Sequence, residues 1–175
     1  MIRLSLLLLI GALSTAPAMA KRRPPATAIA INHYRAGKLY FQQGQNRKAL
    51  EMFRAAYRVH RHPRLLYNMA LCHERLGRPD RALVWLRLYV RRVPAERAQT
   101  RTLIQRLTAL VRNTRLLVTW GVEHAAVRIN GEVVGRLPLP KPIQVPPGQT
   151  IQVLIRLPGY SPFETALKVP AGQTI

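Results

Sequence analysis

The stretch from Pro63 to Pro94, PRLLYNMALCHERLGRPDRALVWLRLYVRRVP, decides how the chain is read, because its landmarks already occur once upstream at a fixed offset. Gly44 and Gly77 lie 33 residues apart, and the same step takes Tyr34 to Tyr67, Ala49 to Ala82, Phe53 to Leu86 and Ala56 to Tyr89. Apolar residues recur at helical spacing on both sides of each glycine, so a helix, a glycine turn and a second helix are written twice. A period near 34 residues marks a repeat architecture, in which one unit cannot bury its apolar face alone and stacks on its neighbour.

Working outward, the pattern predicts helices over 27–43, 46–60, 64–76 and 79–92. Pro63, Pro79 and Pro94 suit first turns, where the missing N–H has no partner to lose. From Ala95 to Asn113, Leu103, Leu107, Leu110 and Val111 fall on one face and predict a fifth amphipathic helix that closes the stack. Two repeats are few for a continuous core, so stability draws on that fifth helix or on a second chain.

The first copy places Ala36, Gly37 and Tyr40 in one helix and Ala49, Phe53 and Ala56 in the next. With Ala70, Ala82, Leu86 and Pro94 in the second copy, this resembles the tetratricopeptide repeat, whose small residues sit where paired helices cross and whose large residue fills the space between them. His33 and Leu66 stand where that family has tryptophan, His73 stands where Tyr40 matches an aromatic, and Tyr89 replaces an alanine. The resemblance implies a concave groove lined by the first helix of each unit. Carried over by register, the groove residues are Ile31, Tyr34, Lys38, Phe41 and Gln42 from copy one, and Arg64, Tyr67, Asn68, Leu71, Glu74 and Arg75 from copy two. Stiff aromatics beside cations suit a peptide-binding strip, whereas packing between helices is the alternative for Tyr34, Phe41 and Tyr67. Asn68 matches the asparagine of members that clamp a terminal carboxylate, but Tyr34 replaces the lysine of that clamp.

At Thr114 the period changes from helical to alternating. Leu116 to Trp120 is a β-type run, Val127 to Val134 alternates about Asn130-Gly131 as a two-residue hairpin does, and Gln149 to Leu157 is the longest strand candidate. A compact all-β module over 114–175 follows, and with the helical domain over 27–113 it makes an α+β, two-domain chain. Asn130-Gly131, Gly135 before Pro138, Pro147-Gly148 and Gly159-Tyr160 resemble the PEGA domain, a small β-module of envelope-associated proteins. Pro146-Pro147-Gly148 takes the place of its naming motif. The nonapeptide Ile143 to Ile151, IQVPPGQTI, recurs as Leu167 to Ile175, LKVPAGQTI. The first copy runs on into a strand and the second stops, so a missing last strand is expected, or else a sheet edge that a partner strand occupies.

Charge is the outlying property: 28 Lys plus Arg against 7 Asp plus Glu give +21. The helical half from Lys21 to Asn113 carries +17 of it, and Thr114 to Ile175 only +3. Such a field favours anionic partners, while a solvated, arginine-rich helical surface explains it equally. The start reads as an export signal over 1–20: Arg3, the apolar run Leu4 to Leu13, and Ala18-Met19-Ala20 as a cleavage site. A run of ten residues is too short for a bilayer span, which takes about 20. A basic linker follows over 21–26, and Lys21-Arg22-Arg23 favours the opposite outcome, a cytoplasmic chain anchored at its N-terminus.

Beyond the signal, Ser161 is the only serine and Asp80 the only aspartate, and the six glutamates never pair closely. These counts disfavour a serine triad and paired-carboxylate hydrolysis. His60 and His62, spaced by two, fall on different helix faces and suit a metal poorly, and the single Cys72 reads as a buried, inert thiol. The expectation is a non-enzymatic exported adaptor of the bacterial periplasm or cell envelope, without cofactor, metal or stable membrane span. Its repeats hold a protein partner and its β-module docks on the envelope or on another subunit. The alternative is a basic helical domain that binds an anionic polymer, envelope polysaccharide before nucleic acid.

Overall fold

The computed structural model describes residues 25–119 and 121–175. The export signal, Lys21 to Pro24 of the basic linker, and Trp120 lie outside the described residues. Five helices come first: α1 (Ala26–Gln42), α2 (Asn46–Val59), α3 (Pro63–Arg75), α4 (Pro79–Arg92) and, after a 3₁₀ turn at Pro94–Glu96, α5 (Arg97–Arg112). Six strands follow: β1 (Arg115–Leu116), β2 (Ala126–Ile129), β3 (Glu132–Arg136), β4 (Ile143–Gln144), β5 (Thr150–Arg156) and β6 (Phe163–Lys168). The linker gives way to helix at Ala26, and among the described residues of the β-type run expected over 116–120 only Leu116 lies in a strand, β1.

The repeat is literal at the level of hydrogen bonds. Helix α1 ends with the Gln45 N–H donating to the Tyr40 carbonyl (2.9 Å) and the Gly44 N–H to that of Phe41 (3.2 Å). Helix α3 ends with the same pair, Arg78 to His73 (3.0 Å) and Gly77 to Glu74 (2.9 Å). Both closures need a left-handed residue, which glycine supplies without strain at φ +73° and +68°. Pro79 then starts α4.

Inside each helix pair the two copies solve one packing problem with different volumes. Phe53, fully buried, reaches so close to Gly37 that a Cβ there would stand 2.7 Å from its ring. At the equivalent positions copy two has Leu86 and Ala70, both buried in one cluster with Leu83 and Leu107. The larger side chain therefore faces the smaller neighbour, as close packing at fixed helix separation requires. Leu107 of α5 sits in that cluster and supplies the third layer that two repeats lack.

The main sheet is antiparallel throughout, in the order β3-β2-β5-β6, and β1 pairs with β4 in a smaller sheet. Asn130 and Gly131 turn the β2–β3 hairpin at φ +50° and +86°. Along β5, Ile151 and Val153 are buried and Gln152 exposed, so one sheet face meets the core built with Leu116, Ile129, Val145 and Val169. The chain's last residues run beside β1, where the Arg115 and Leu117 N–H groups donate to the Gln173 and Ile175 carbonyls at 2.9 and 2.7 Å.

The recurring nonapeptide joins the two domains. In its first copy Gly148, at φ +65°, lies where a Cβ would stand 2.2 Å from the Gly77 carbonyl oxygen, and Gln149 Nε2 donates to Asp80 Oδ2 at 2.8 Å. In its second copy Gly172, at φ +80°, presses on Leu110 and donates its N–H to Thr114 Oγ1 at 2.8 Å. The first turn seats on the α3–α4 turn and the second on the end of α5.

The volume exchange predicts a double-mutant result. Gly37→Ala should cost about 1–3 kcal/mol from overpacking against Phe53, more than the gain of about 1 kcal/mol in helix propensity. Adding Phe53→Leu, the solution of copy two, should recover most of the loss; chemical denaturation of the two single variants and the double measures it.

Candidate functional site

Helices α1 and α3 share a face with the start of α5, and side chains one turn apart on each helix converge there. Tyr34, Arg64, Tyr67 and Asn68 form one wall of a cavity of about 350 Å³; Tyr89, Glu96, Gln99 and Thr100 form the other. A second cavity of about 300 Å³ adjoins it, sharing Tyr34 and Arg64, and is walled by Ala30, Ile31 and Leu65 with His60 and His62 at its rim. Together they form a groove with an apolar end and a polar end.

The two tyrosines both pack and line the groove. The Tyr34 ring stands 6.1 Å from that of Phe53, and the Tyr67 ring 5.4 Å from that of Tyr89. Both are half-buried, backed by the core while facing the cavity, which holds them rigid at little further entropy loss on binding. The Tyr89 hydroxyl is shifted up, first by burial and then by the Glu96 carboxylate, so it remains a donor at neutral pH.

The remaining groove residues read from the sequence lie outside these cavities. Arg75 stacks on Phe41, its guanidinium 3.8 Å from the ring centroid, and Nη1 donates to the Phe41 carbonyl at 3.0 Å. That pair ties α3 to α1, and an ion pair between Glu74 and Arg106 ties α3 to α5. Lys38 is exposed, its Nζ 6.0 Å from the Tyr34 ring centroid. Gln42 is the exposed last residue of α1, and Leu71 is half-buried.

Tyr89, Glu96, Gln99 and Thr100 were not foreseen as groove residues, because Tyr89 lies on the second helix of its unit and the other three on the 3₁₀ turn and α5, beyond the repeats. One signal was present: Tyr89 stands where copy one has the fully buried Ala56. His60 and His62 correct another expectation, since they lie between α2 and α3 rather than on faces of a helix, with ring centroids 6.1 Å apart. His62 Nδ1 caps α3 by accepting the Arg64 N–H at 3.3 Å. Among the described residues no three side chains gather as a metal site. Cys72 is fully buried, and burial pushes its thiol up to about 12 against the opposing pull of Arg75, so thiolate chemistry is suppressed.

Residues 34–97 match the tetratricopeptide repeat family, a family of protein-interaction repeats; the match takes in most of α1 and all of α2, α3 and α4 and ends at the start of α5. No curated protein and no solved structure matches the chain. Among the described residues no helix is long and apolar enough to cross a membrane.

His73 gives the fold a pH dependence. It is 3% exposed, and burial first, then Arg54, Arg78 and Arg81, lower its pKa from 6.5 to about 4, opposed only by Asp80. Between those values the unfolded chain takes up a proton that the folded chain refuses. Stability is therefore full above about pH 6.5 and falls as pH drops towards 4, by up to about 3 kcal/mol. Across this range the denaturation midpoint of wild type should fall by more than that of His73→Phe, which has no group to protonate.

Proposed function

We propose that this protein is a non-enzymatic adaptor of the bacterial periplasm or cell envelope, whose groove holds a segment of a protein partner. The β-module, by its resemblance to the PEGA domain, serves as the attachment to the envelope or to another subunit. One observation carries the reading: two adjoining cavities share Tyr34 and Arg64, one walled by aliphatic side chains and the other by Arg64, Asn68, Gln99 and three tyrosines. An aliphatic side chain of a bound segment fits the first, and its backbone and polar groups find donors and acceptors in the second. Rigid aromatics and arginine are the residue types that concentrate interface energy. The match to a protein-interaction family over 34–97 covers the residues from which most of the groove is made.

A second reading rests on a different observation, the +17 charge of the helical half, and assigns the protein to an anionic polymer of the envelope. The two differ in their response to salt, since polymer binding by a charge field falls steeply as counterions compete and a shaped apolar contact does not.

Tyr34→Ala together with Tyr67→Ala should reduce capture of the partner from solubilised envelopes at least roughly tenfold while the thermal transition stays cooperative. Capture that persists unchanged in the folded double variant would overturn the groove assignment. Capture by wild type that is lost at modest salt would favour the polymer.

A further inference from the structure

At the other end of the helix pairs, where the glycine turns lie, a separate cavity of about 600 Å³ opens between the repeats and the β-module. Its walls carry five cations from three places: Arg47 and Arg54 of α2, Arg78 and Arg81 at the start of α4, and Lys168 at the end of β6. Gln149 and Thr150 add neutral polar groups. The acid of this neighbourhood is Asp80: Oδ2 accepts from Gln149 Nε2 at 2.8 Å and lies 3.8 Å from Arg81 Nε, while Oδ1 is buried without a hydrogen-bond partner.

His73 lines the same cavity. It is 3% exposed, yet neither ring nitrogen has a hydrogen-bond partner. A buried imidazole left unsatisfied is costly and uncommon, and at a built site it marks a position that a ligand completes. Held neutral by burial and by Arg54, Arg78 and Arg81, it offers one N–H donor and one acceptor. No side chain caps the N-terminus of α4 beside it, so the positive end of that helix adds to the field.

We propose that this cavity binds a phosphate-bearing ligand, with Arg54, Arg78, Arg81 and Lys168 around the phosphate and His73 beneath it. Guanidinium forks from two elements match the several acceptor oxygens of a tetrahedral dianion better than they match a single carboxylate or a halide. The volume exceeds one phosphate, and Val84 and Trp85 on its wall provide an apolar flank for the rest of the ligand. Because the β-module contributes Lys168 and Gln149, an occupied cavity links the two domains and reinforces the contact of Gly148 with Gly77. A soluble phosphate ester and the headgroup of an anionic phospholipid present the same chemistry.

The test is calorimetric titration of the full chain with pyrophosphate at fixed ionic strength, with His73 ring resonances followed by NMR. The expected result is saturable binding of one pyrophosphate per chain that moves the His73 resonances and leaves those of His60 and His62 in place. Arg54→Gln with Arg78→Gln should weaken it at least roughly tenfold, whereas Arg91→Gln with Arg92→Gln, an equal loss of charge elsewhere on α4, should leave it within about twofold. Equal weakening by both pairs, or non-saturable binding, would overturn the proposal. Vesicles containing phosphatidylglycerol decide the source: sedimentation that pyrophosphate displaces and that Arg54→Gln with Arg78→Gln abolishes assigns a headgroup, and its absence beside saturable pyrophosphate binding assigns a soluble ester.

Discussion

Backbone meets backbone at Gly77 and Gly148, and much of the molecule follows from that contact. Gly77 ends α3 in a left-handed conformation and reverses the chain into α4; its carbonyl then occupies the space that a side chain on Gly148 would fill. The two glycines serve different needs: Gly148 because a Cβ there would stand 2.2 Å from that oxygen, and Gly77 because its φ is +68°, a Cβ there meeting nothing within 4 Å. The approach brings Gln149 onto Asp80 and Lys168 towards the arginines of α2 and α4, so one steric condition sets both the domain junction and the cationic cavity.

The recurrence of the nonapeptide acquires a physical meaning in this light. Each copy turns through a glycine at positive φ, and each turn rests on the end of a helix or helix turn, Gly148 on Gly77 and Gly172 on Leu110 and Thr114. Two seats fix an orientation where one would leave a hinge. Thr114 serves twice there, its hydroxyl donating to the Leu110 carbonyl at 2.7 Å and accepting the Gly172 N–H at 2.8 Å. Being fully buried, that hydroxyl is matched on both sides, as a buried polar group must be.

The helical domain presents opposite chemistries at its two ends. Where α2 passes to α3, aliphatic and tyrosine side chains open onto solvent beside Arg64; where the glycine turns lie, arginines surround a buried neutral histidine. The same +17 charge is therefore not uniform in its consequences. At the first end Arg64 edges a groove that also contains Glu96, and at the second the arginines are joined by a helix N-terminus and by Lys168 of the β-module. His73 registers both its burial and that accumulation, since burial first and then the arginines lower its proton affinity.

Repeat spacing alone determined much of this protein. The 33-residue step located the glycine turns and all four repeat helices to within a residue or so, because glycine at positive φ and apolar side chains at helical spacing are local requirements. Asn130-Gly131 and the alternation along β5 were legible for the same reason. Tyr34, Arg64, Tyr67 and Asn68 could be placed on one groove because repeat register is a local rule. Tertiary structure decided what depends on segments far apart in sequence. It supplied the second groove wall from Tyr89 and α5, and joined Arg75 to Phe41 rather than leaving both open. It also sank His73, read from its position only as a substitute aromatic, beneath arginines brought together from α2 and α4. Burial and electric field are sums over neighbours that the chain order does not contain, and they exist only once the repeats and the β-module close on one another.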